Sequence, residues 1–320
     1  MQFLEMNGIN KFKSPIYFIE KKDNNNLYIM RDDLIPFSFG GNKARKAYNF
    51  FKDILENNYD YVITYGSASS NHCRIIANLA KRYGFPCTII STEKEKETAN
   101  KNLCELFGVE FIYCNIDEVK DTINKQIELK ECLNYKPYFI QGGGHGNLGT
   151  KAYIDAYNEI LDYEKQNNIK FDYIFHATGT GTTQAGLVLG KLINKSNSKI
   201  IGISVARKLP RGKDVVIESI NDYIKENKLD IDLNENDVIF NDEYILDGYS
   251  KYNKEILEQI KYMMNNFGIP LDTTYTGKAF WGMTEYLNKE KIKNKNVLFI
   301  HTGGTPIFFD NIKELKQWTF

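Results

Sequence analysis

Cysteine is scarce in this 320-residue sequence, and the few cysteines present limit what the chain can be. There are five, an odd number, and none are spaced as in a zinc ribbon. They are Cys73, Cys87, Cys104, Cys114 and Cys132. An odd number without paired spacing argues against a disulfide framework. We therefore expect a protein of a reducing compartment, the cytoplasm.

The sequence also lacks an excess of one charge and any long apolar run. Lysine plus arginine number 41 and aspartate plus glutamate number 41, so the formal net charge is zero. Balanced charge argues against a general nucleic-acid binder, which would carry an excess of basic residues. No apolar run approaches the roughly 18 residues that span a bilayer, and the N-terminal sequence lacks the layout of a signal peptide. We expect a soluble, unprocessed protein without nucleic-acid or membrane partners.

Short apolar runs alternate with longer segments of helical period along the chain, a pattern typical of βαβ units. The segment YDYVITYGS predicts a strand, and SNHCRIIANLAKRYG predicts a helix that ends at Gly84. The alternation continues in the second half, and no internal repeat is evident. The pattern predicts an α/β protein with two sheet layers, and glycines clustered at strand ends suggest one crevice between them.

Four predicted strands end in loops rich in glycine or serine, where parallel α/β sheets bind their ligands. The loops are TYGSASSNH, QGGGHGNLG, ATGTGTTQAG and HTGG. All four histidines of the chain lie in or beside them: His72, His145, His176 and His301. This coincidence indicates one shared site. Because the histidines are dispersed, with no His-x-x-x-His pair, we interpret them as loop-ordering residues rather than metal ligands, and we expect no metal site.

The loop ATGTGTTQAG has the features of a phosphate site. Gly179 and Gly181 let the backbone approach a ligand, and the helix predicted to begin near Thr183 would point its free N–H groups at an anion. The hydroxyl donors are Thr180, Thr182 and Thr183. A dinucleotide fingerprint fails because Gln184 stands where the third glycine is needed. The alternative is an ordinary strand-to-helix turn.

A basic cluster, Lys43, Arg45 and Lys46, opens the helix predicted after SFGG. Cations at a first helical turn oppose the helix dipole, so helix preference does not explain them. When burial or neighbouring cations lower its pKa, a lysine amine becomes a nucleophile that forms Schiff bases, for example with pyridoxal phosphate (PLP). Gly40 and Gly41 would let a flat ring approach the backbone. The alternative is a solvated, basic start of a helix.

Five segments resemble, in order and spacing, the D-cysteine desulfhydrase and 1-aminocyclopropane-1-carboxylate (ACC) deaminase family. They are RDDLIPFSFGGNKARK, GSASSNHCR, TGTGTTQAG, LDTTYTGKA and HTGG. The resemblance covers almost the whole chain and implies a PLP enzyme of the tryptophan-synthase-β fold, fold type II. In that fold each of the two domains would be a mostly parallel twisted sheet flanked by helices, with the active site in the interdomain cleft. The smaller domain would span residues 46–150, the larger, PLP-binding domain residues 1–45 with 151–320, and the family is commonly homodimeric.

The resemblance also implies a role for each matching residue. Lys43 would bind the cofactor covalently and move protons at the substrate's α-carbon, Asn71 would hydrogen-bond the ring hydroxyl, and Thr302 would face the pyridine nitrogen. Tyr275 would stack by the ring as a candidate acid or base, with Tyr249 as a second active-site tyrosine. The phosphate would be held by Thr180, Gly181, Thr182 and Thr183. The substrate would meet Ser69, Ser70, Asn71, His72 and His145, with Ser70 holding its carboxylate.

A hydroxyl at the pyridine nitrogen, rather than a carboxylate, suits β-elimination because the departing group drains the carbanion quickly. ACC deaminases of the family have YEGK, whereas this chain has Thr276 in place of the glutamate. The resemblance therefore favours conversion of D-cysteine to pyruvate, sulfide and ammonia. ACC deamination, and elimination or β-replacement on another D-amino acid, stay open because three positions depart from the family pattern. The departures are Ser69 for glutamine, His145-Gly146 for Ser-Asn, and Ser250 for glycine.

Three other classes of protein are alternatives to a PLP enzyme. A nicotinamide dehydrogenase needs the intact glycine fingerprint and an acidic ribose partner, and neither is present. A metal hydrolase lacks paired histidines. A non-catalytic binding protein of the same fold would bind the cofactor and release no keto acid from any amino acid.

Overall fold

The computed structural model describes residues 13–317, which form two compact units. Residues 43–149 make up the smaller unit, and residues 13–42 with 150–317 make up the larger one. Each unit contains its own sheet and helices, so the predicted α/β class is confirmed. The predicted domain limits, 46–150 against 1–45 with 151–320, stay a prediction. Residues 1–12 and 318–320, which that prediction places in the larger domain, lie outside the described residues.

The elements are numbered in chain order within residues 13–317. The strands are β1 (Ile16–Lys22), β2 (Asn25–Arg31), β3 (Tyr61–Tyr65), β4 (Cys87–Ser91), β5 (Glu110–Tyr113), β6 (Pro137–Ile140), β7 (Tyr173–Thr178), β8 (Lys199–Ser204), β9 (Ile239–Asn241) and β10 (Asn296–His301). The helices are α1 (Asn42–Glu56), α2 (Asn71–Tyr83), α3 (Ala99–Leu106), α4 (Val119–Cys132), α5 (Asn147–Asn167), α6 (Thr182–Ile193), α7 (Arg211–Asn227), α8 (Lys254–Phe267), α9 (Thr276–Lys289), α10 (Thr305–Asp310) and α11 (Ile312–Gln317). None of these helices is long and apolar enough to cross a membrane.

The larger unit is built on a six-stranded sheet in the order β1-β2-β10-β7-β8-β9. Only β1 pairs antiparallel; the other pairs are parallel. Phe175 and Phe299 point into one core with side chains of α8 and α9, whereas Ile174 and Leu298 point into a second core with α5, α6 and α7. Successive strand residues alternate between faces, and both faces are covered, so the inner strands β10, β7 and β8 are mostly apolar.

The smaller unit is built on a four-stranded, wholly parallel sheet in the order β5-β4-β3-β6. Helix α2 follows β3 and ends at Gly84, whose φ of 77° is left-handed. The predicted stop of this helix is therefore confirmed, because glycine adopts that conformation without strain.

The sequence patterns did not predict the β1–β2 hairpin. Its turn residues Asp23 and Asn24 have φ values of 50° and 64°, which a two-residue hairpin requires. Strand β1 is exposed at several positions because it lies at the sheet edge. With only one neighbour and little burial, it carries no clear apolar alternation.

Candidate active site

The backbone before α1 makes a close approach that only glycine permits. Gly40 and Gly41 have φ values of 59° and 95°. A Cβ atom on Gly41 would lie 2.7 Å from the carbonyl oxygen of Thr302. The two glycines therefore bring the start of α1 against the loop HTGG that follows β10.

Asn42, the first residue of α1, is bonded to two of the predicted ligand loops. Its backbone N–H donates to the Thr302 carbonyl (3.0 Å), and its side-chain Nδ2 donates to Thr183 Oγ1 (3.2 Å). Lys43 is the next residue along the chain. The residue preceding Lys43 is thus fixed to the loops TGTGTT and HTGG, a role that the sequence analysis missed although Asn42 lies between the glycine pair and the lysine.

The Lys43 amine is half-buried and points at the glycine loop after β6. Its Nζ donates to the Gly143 carbonyl (3.0 Å), and burial lowers the pKa of Lys43 to about 8. Lys46, one turn later, is buried, and both burial and the charge of Lys43 lower the pKa of Lys46 well below its usual value. The amine of Lys43 is made nucleophilic by burial rather than by its cationic neighbours.

The same glycine loop carries His145. Gly143, Gly144 and Gly146 have φ values of 73°, 66° and 108°, so the loop has a backbone that residues with side chains rarely adopt. His145 is half-buried two residues from the carbonyl that receives Lys43. In the smaller unit, the structure therefore brings together Lys43 and the loop of His145.

The loop between β7 and α6 has the chemistry of an anion site. Gly181, with a φ of 97°, is the N-cap of α6 and has no side chain to satisfy the first N–H groups of the helix. Thr182 and Thr183 are buried in the first turn. Thr178 Oγ1, at the end of β7, is buried without a hydrogen-bond partner among the described residues. A phosphate fits this donor set.

Arg207 adds a cation to this loop that the sequence analysis did not find. Its guanidinium donates to the carbonyl of Gly179, and its pKa is lowered, mainly by burial. Because Arg207 follows β8 and lies in no recognised motif, only the tertiary structure places it there.

The start of α2 is capped by Ser70. Ser70 Oγ accepts from the backbone N–H of Cys73 at 3.2 Å. A hydroxyl that accepts in this way keeps its own hydrogen for donation. Ser69, Ser70 and Asn71 are half-buried, whereas His72 is buried. Ser70 therefore caps the helix, and its hydroxyl also bonds the side chain of Cys73.

His72 joins two strand ends of the smaller unit. Its Nε2 lies 2.9 Å from Thr64 Oγ1, and Thr64 Oγ1 donates to the Ile140 carbonyl at 2.8 Å. Since the hydroxyl hydrogen is used on that carbonyl, His72 Nε2 must be the donor to Thr64. Burial, with the charges of Lys43 and Lys46, holds the pKa of His72 well below its usual value. His72 is a neutral residue that orders the loop, and its contact with substrate stays a prediction.

Two other histidines also bond to strand ends or loops. His301 Nε2 lies 2.8 Å from the Pro270 carbonyl, and its Nδ1 accepts from the N–H of Gly303 at 3.2 Å. His176 Nδ1 lies 3.0 Å from the carbonyl of Ala177. These contacts support their interpretation as loop-ordering residues.

The two predicted tyrosines meet in the larger unit. The hydroxyl oxygens of Tyr249 and Tyr275 are 2.5 Å apart, so one donates to the other. Lys278, in α9, donates to the carbonyls of Ile245 (3.0 Å) and Gly248 (3.1 Å), which fixes the turn before Tyr249. A hydroxyl pair at this distance can hold and pass on one proton.

Asp272 is a buried carboxylate that the sequence analysis overlooked. Its Oδ1 accepts from the N–H groups of Thr274 (2.9 Å) and Tyr275 (2.7 Å). Its Oδ2 accepts from the N–H (3.0 Å) and the hydroxyl (2.7 Å) of Thr276. Burial raises the pKa of Asp272, and these hydrogen bonds oppose the rise. These four bonds fix the turn that leads into α9, whose N-cap is Tyr275.

Residues 12–303 match the family described as pyridoxal-phosphate dependent enzyme. The chain belongs to this family, and its cofactor is PLP.

Individual similar proteins indicate which subgroup of the PLP-dependent family the chain resembles. The chain is 32% identical over 312 residues to a "Putative 1-aminocyclopropane-1-carboxylate deaminase" of Pyrococcus abyssi, covering 96% of this chain and 93% of that protein. It is 32% identical over 294 residues to the D-cysteine desulfhydrase of Yersinia enterocolitica, covering 88% of each. A crystal structure of an ACC deaminase homologue superposes with a TM-score of 0.87 at 30% identity, covering 97% of this chain and 94% of that one. The chain is a PLP-dependent enzyme of the ACC deaminase and D-cysteine desulfhydrase type.

Proposed function

We propose that the protein is a PLP-dependent lyase that acts by β-elimination on a small amino acid, with D-cysteine as the leading substrate. The observation that carries the proposal is the pair of hydrogen bonds that Asn42, the residue before Lys43, makes to Thr183 and to Thr302. The reaction is D-cysteine plus water to pyruvate, sulfide and ammonia.

The residues present fit PLP. Lys43 offers an amine whose pKa is lowered to about 8, as covalent attachment to an aldehyde needs. The start of α6, with Gly181 as its cap, would hold the phosphate together with the hydroxyls of Thr180, Thr182 and Thr183. When bound, PLP supplies an electron sink for the bonds of the substrate's α-carbon.

Each proposed residue performs one task on the substrate or cofactor. Lys43 would hold the cofactor and, through its amine, would remove the proton from the substrate's α-carbon. Ser70 would donate its hydroxyl hydrogen to the substrate carboxylate, next to the start of α2. Tyr275, paired with Tyr249, is the candidate acid or base for the leaving group. Asn71 donates to the ring hydroxyl of PLP, and Ser69, His72 and His145 complete the substrate side.

The choice of elimination rests on position 276. Thr276 is buried and its hydroxyl donates to Asp272, so this position presents no carboxylate. Thr302 would then face the pyridine nitrogen with a hydroxyl. A largely unprotonated ring is a weaker electron sink, which suits a reaction whose leaving group departs quickly.

ACC deamination is the second candidate, and the names of similar proteins favour it. The relative of Pyrococcus abyssi and the crystal structure with a TM-score of 0.87 carry the ACC deaminase name. Ring opening of ACC yields 2-oxobutyrate, whereas elimination from cysteine yields pyruvate, so the keto acid released distinguishes the two.

The test is keto acid release by the PLP-loaded protein from D-cysteine, L-cysteine and ACC in parallel. We expect pyruvate and an equal amount of sulfide from D-cysteine. Release of 2-oxobutyrate from ACC with no pyruvate from D-cysteine would overturn the argument from Thr276. Bound cofactor without any keto acid would show that Ser69, His145 and Ser250 define another substrate.

Replacement of Lys43 tests the site itself. We expect Lys43→Ala to reduce turnover at least a thousandfold, since covalent attachment and proton transfer both use this amine. Borohydride reduction followed by mass spectrometry should place the cofactor on Lys43 in the wild type. The matched control is Lys52→Ala, on the same helix with a 55% exposed side chain, which should keep full activity. Full turnover by Lys43→Ala would refute the assignment.

We also propose a cytoplasmic homodimer, on the family resemblance and on the odd number of cysteines. Light scattering would show a dimer as twice the chain mass of 37.0 kDa.

A further inference from the structure

Asn71, at the start of α2, is held from one side by a buried arginine and a buried asparagine. Arg74 Nη1 donates to Asn71 Oδ1 (2.7 Å) and to Asn100 Oδ1 (2.7 Å). Asn100 Nδ2 donates to Asn71 Oδ1 (3.1 Å) and to the carbonyl of Ser69 (2.8 Å). Arg74 is 1% exposed and Asn100 is fully buried, so water does not compete for these bonds.

The chemistry of these partners decides which way the Asn71 amide faces. A guanidinium has only donors, so the group that Asn71 turns toward Arg74 must be its oxygen. The Nδ2 group of Asn71 then points away, and no described residue accepts a hydrogen bond from it. The reverse orientation would place two N–H donors against the donors of Arg74 and Asn100, which is unfavourable in a buried place.

We propose that Arg74 and Asn100 are positioning residues that fix the amide of Asn71 so that it presents N–H donors to the ionised ring oxygen of PLP. The inference rests on the role proposed above for Asn71. It adds the reason why an asparagine, which could present either oxygen or nitrogen, acts only as a donor. The charge of Arg74 on Asn71 Oδ1 also polarises the amide, which makes its N–H a stronger donor.

The segment before α3 supports the same loop at two further points. Thr98 Oγ1 donates to the carbonyl of Ala68 (2.6 Å), and Glu93 accepts from the N–H of Ala68 (2.9 Å). The backbone that leads into Asn71 is therefore fixed independently of Arg74. A change at Asn100 removes the bond to the Ser69 carbonyl and releases the amide of Asn71, while the two bonds to Ala68 should keep this backbone in place.

Asn100→Asp is the decisive variant because it keeps the shape of the side chain. The new carboxylate draws the Arg74 guanidinium into an ion pair and cannot itself donate to Asn71 Oδ1, so the Asn71 oxygen loses its fixed donors and the amide is free to turn that oxygen toward the cofactor. We expect the affinity of the apoprotein for PLP to fall about tenfold, the effect of one lost hydrogen bond to a charged oxygen. The long-wavelength absorbance of bound PLP, from the form with an ionised ring oxygen, should weaken relative to the short-wavelength band.

Two controls separate this effect from a loss of structure. Asn102→Asp makes the same chemical change at an exposed position of α3 and should leave affinity and spectrum as in the wild type. In an Asn71→Ala background, Asn100→Asp should weaken PLP binding less than twofold further, because the amide through which it acts is gone. If Asn100→Asp does not fold by circular dichroism, Asn100→Ala serves in its place, with a smaller loss expected.

Three results would overturn the inference. The first is wild-type affinity and spectrum for Asn100→Asp while Asn71→Ala binds PLP more weakly. The second is an equal loss from Asn100→Asp with and without Asn71, which would indicate a merely structural role. The third is an unchanged Asn71→Ala, which would also remove the role proposed for Asn71. D-cysteine turnover tests the proposed reaction separately in each case.

Discussion

Lys43 shows how one residue obtains a property that its residue type does not have. In water a lysine amine is almost entirely protonated at neutral pH, because its pKa is near 10.4. Here burial lowers the pKa of Lys43 to about 8. Roughly a tenth of the amine is therefore neutral at pH 7, which is the form that attacks an aldehyde.

This pKa gives a pH dependence for cofactor capture. Deprotonation increases the reactive amine, so the rate constant for covalent PLP binding to the apoprotein should rise about tenfold per pH unit below pH 8. Above that pH it should level off. Stopped-flow absorbance between pH 6 and about 10 measures the profile, with acetyl-lysine as the control amine that should level off only near 10.4. A profile of the protein that follows the control amine would contradict the lowered pKa.

At the scale of elements, α5 and α6 pack closely because α6 has small residues on one face. A Cβ atom on Gly186 would lie 2.5 Å from Tyr153 Cβ, and one on Gly190 would lie 2.5 Å from Tyr157 Cβ. The two glycines are four residues apart, as are the two tyrosines, so they meet on one helical face. This packing supports the helix whose first turn forms the proposed phosphate site.

Gly186→Ala tests that packing. Alanine favours a helix over glycine by up to about 1 kcal/mol, but the added methyl group meets the backbone of Thr150 as well as Tyr153. Overpacking of this kind costs about 1–3 kcal/mol, so we expect net destabilisation. Denaturant unfolding of the apoprotein gives the free energy of unfolding. An equal or higher value for Gly186→Ala would show that the two helices can separate without cost.

The elements themselves were largely predictable from sequence, and the exceptions have a common cause. Helix α2 was predicted with its stop because it combines an apolar face with a terminal glycine. Strands β1, β2 and β9 were not predicted: β1 is a half-exposed edge strand, β2 is its hairpin partner, and β9 has three residues. Such strands depend on a neighbouring strand for their hydrogen bonds rather than on a pattern of their own.

At the scale of the whole molecule, PLP binding should stabilise the folded chain by mass action. With free PLP at 100 times its dissociation constant, the gain is about 2.7 kcal/mol. We expect a higher melting temperature for the PLP-loaded wild type than for the apoprotein, measured by differential scanning calorimetry. Lys43→Ala should lose most of this gain, and so should the wild type with pyridoxine 5′-phosphate, which lacks the aldehyde. Equal gains with both ligands would show that covalent attachment adds nothing.

The sequence by itself determined the α/β class, the strand-end loops and the lysine, because each depends on local patterns: apolar periodicity, glycines at strand ends and a misplaced cation. Only the tertiary structure decided which distant side chains act on those loops. Three sets of hydrogen bonds were not predicted: those of Asn42 to Thr302, of Arg74 and Asn100 to Asn71, and of Thr276 to Asp272. The last pair was missed although its residues are only four positions apart. Such hydrogen bonds form where folding excludes water, and burial is also what shifts the pKa of Lys43, so neither can be derived from residue type and spacing alone.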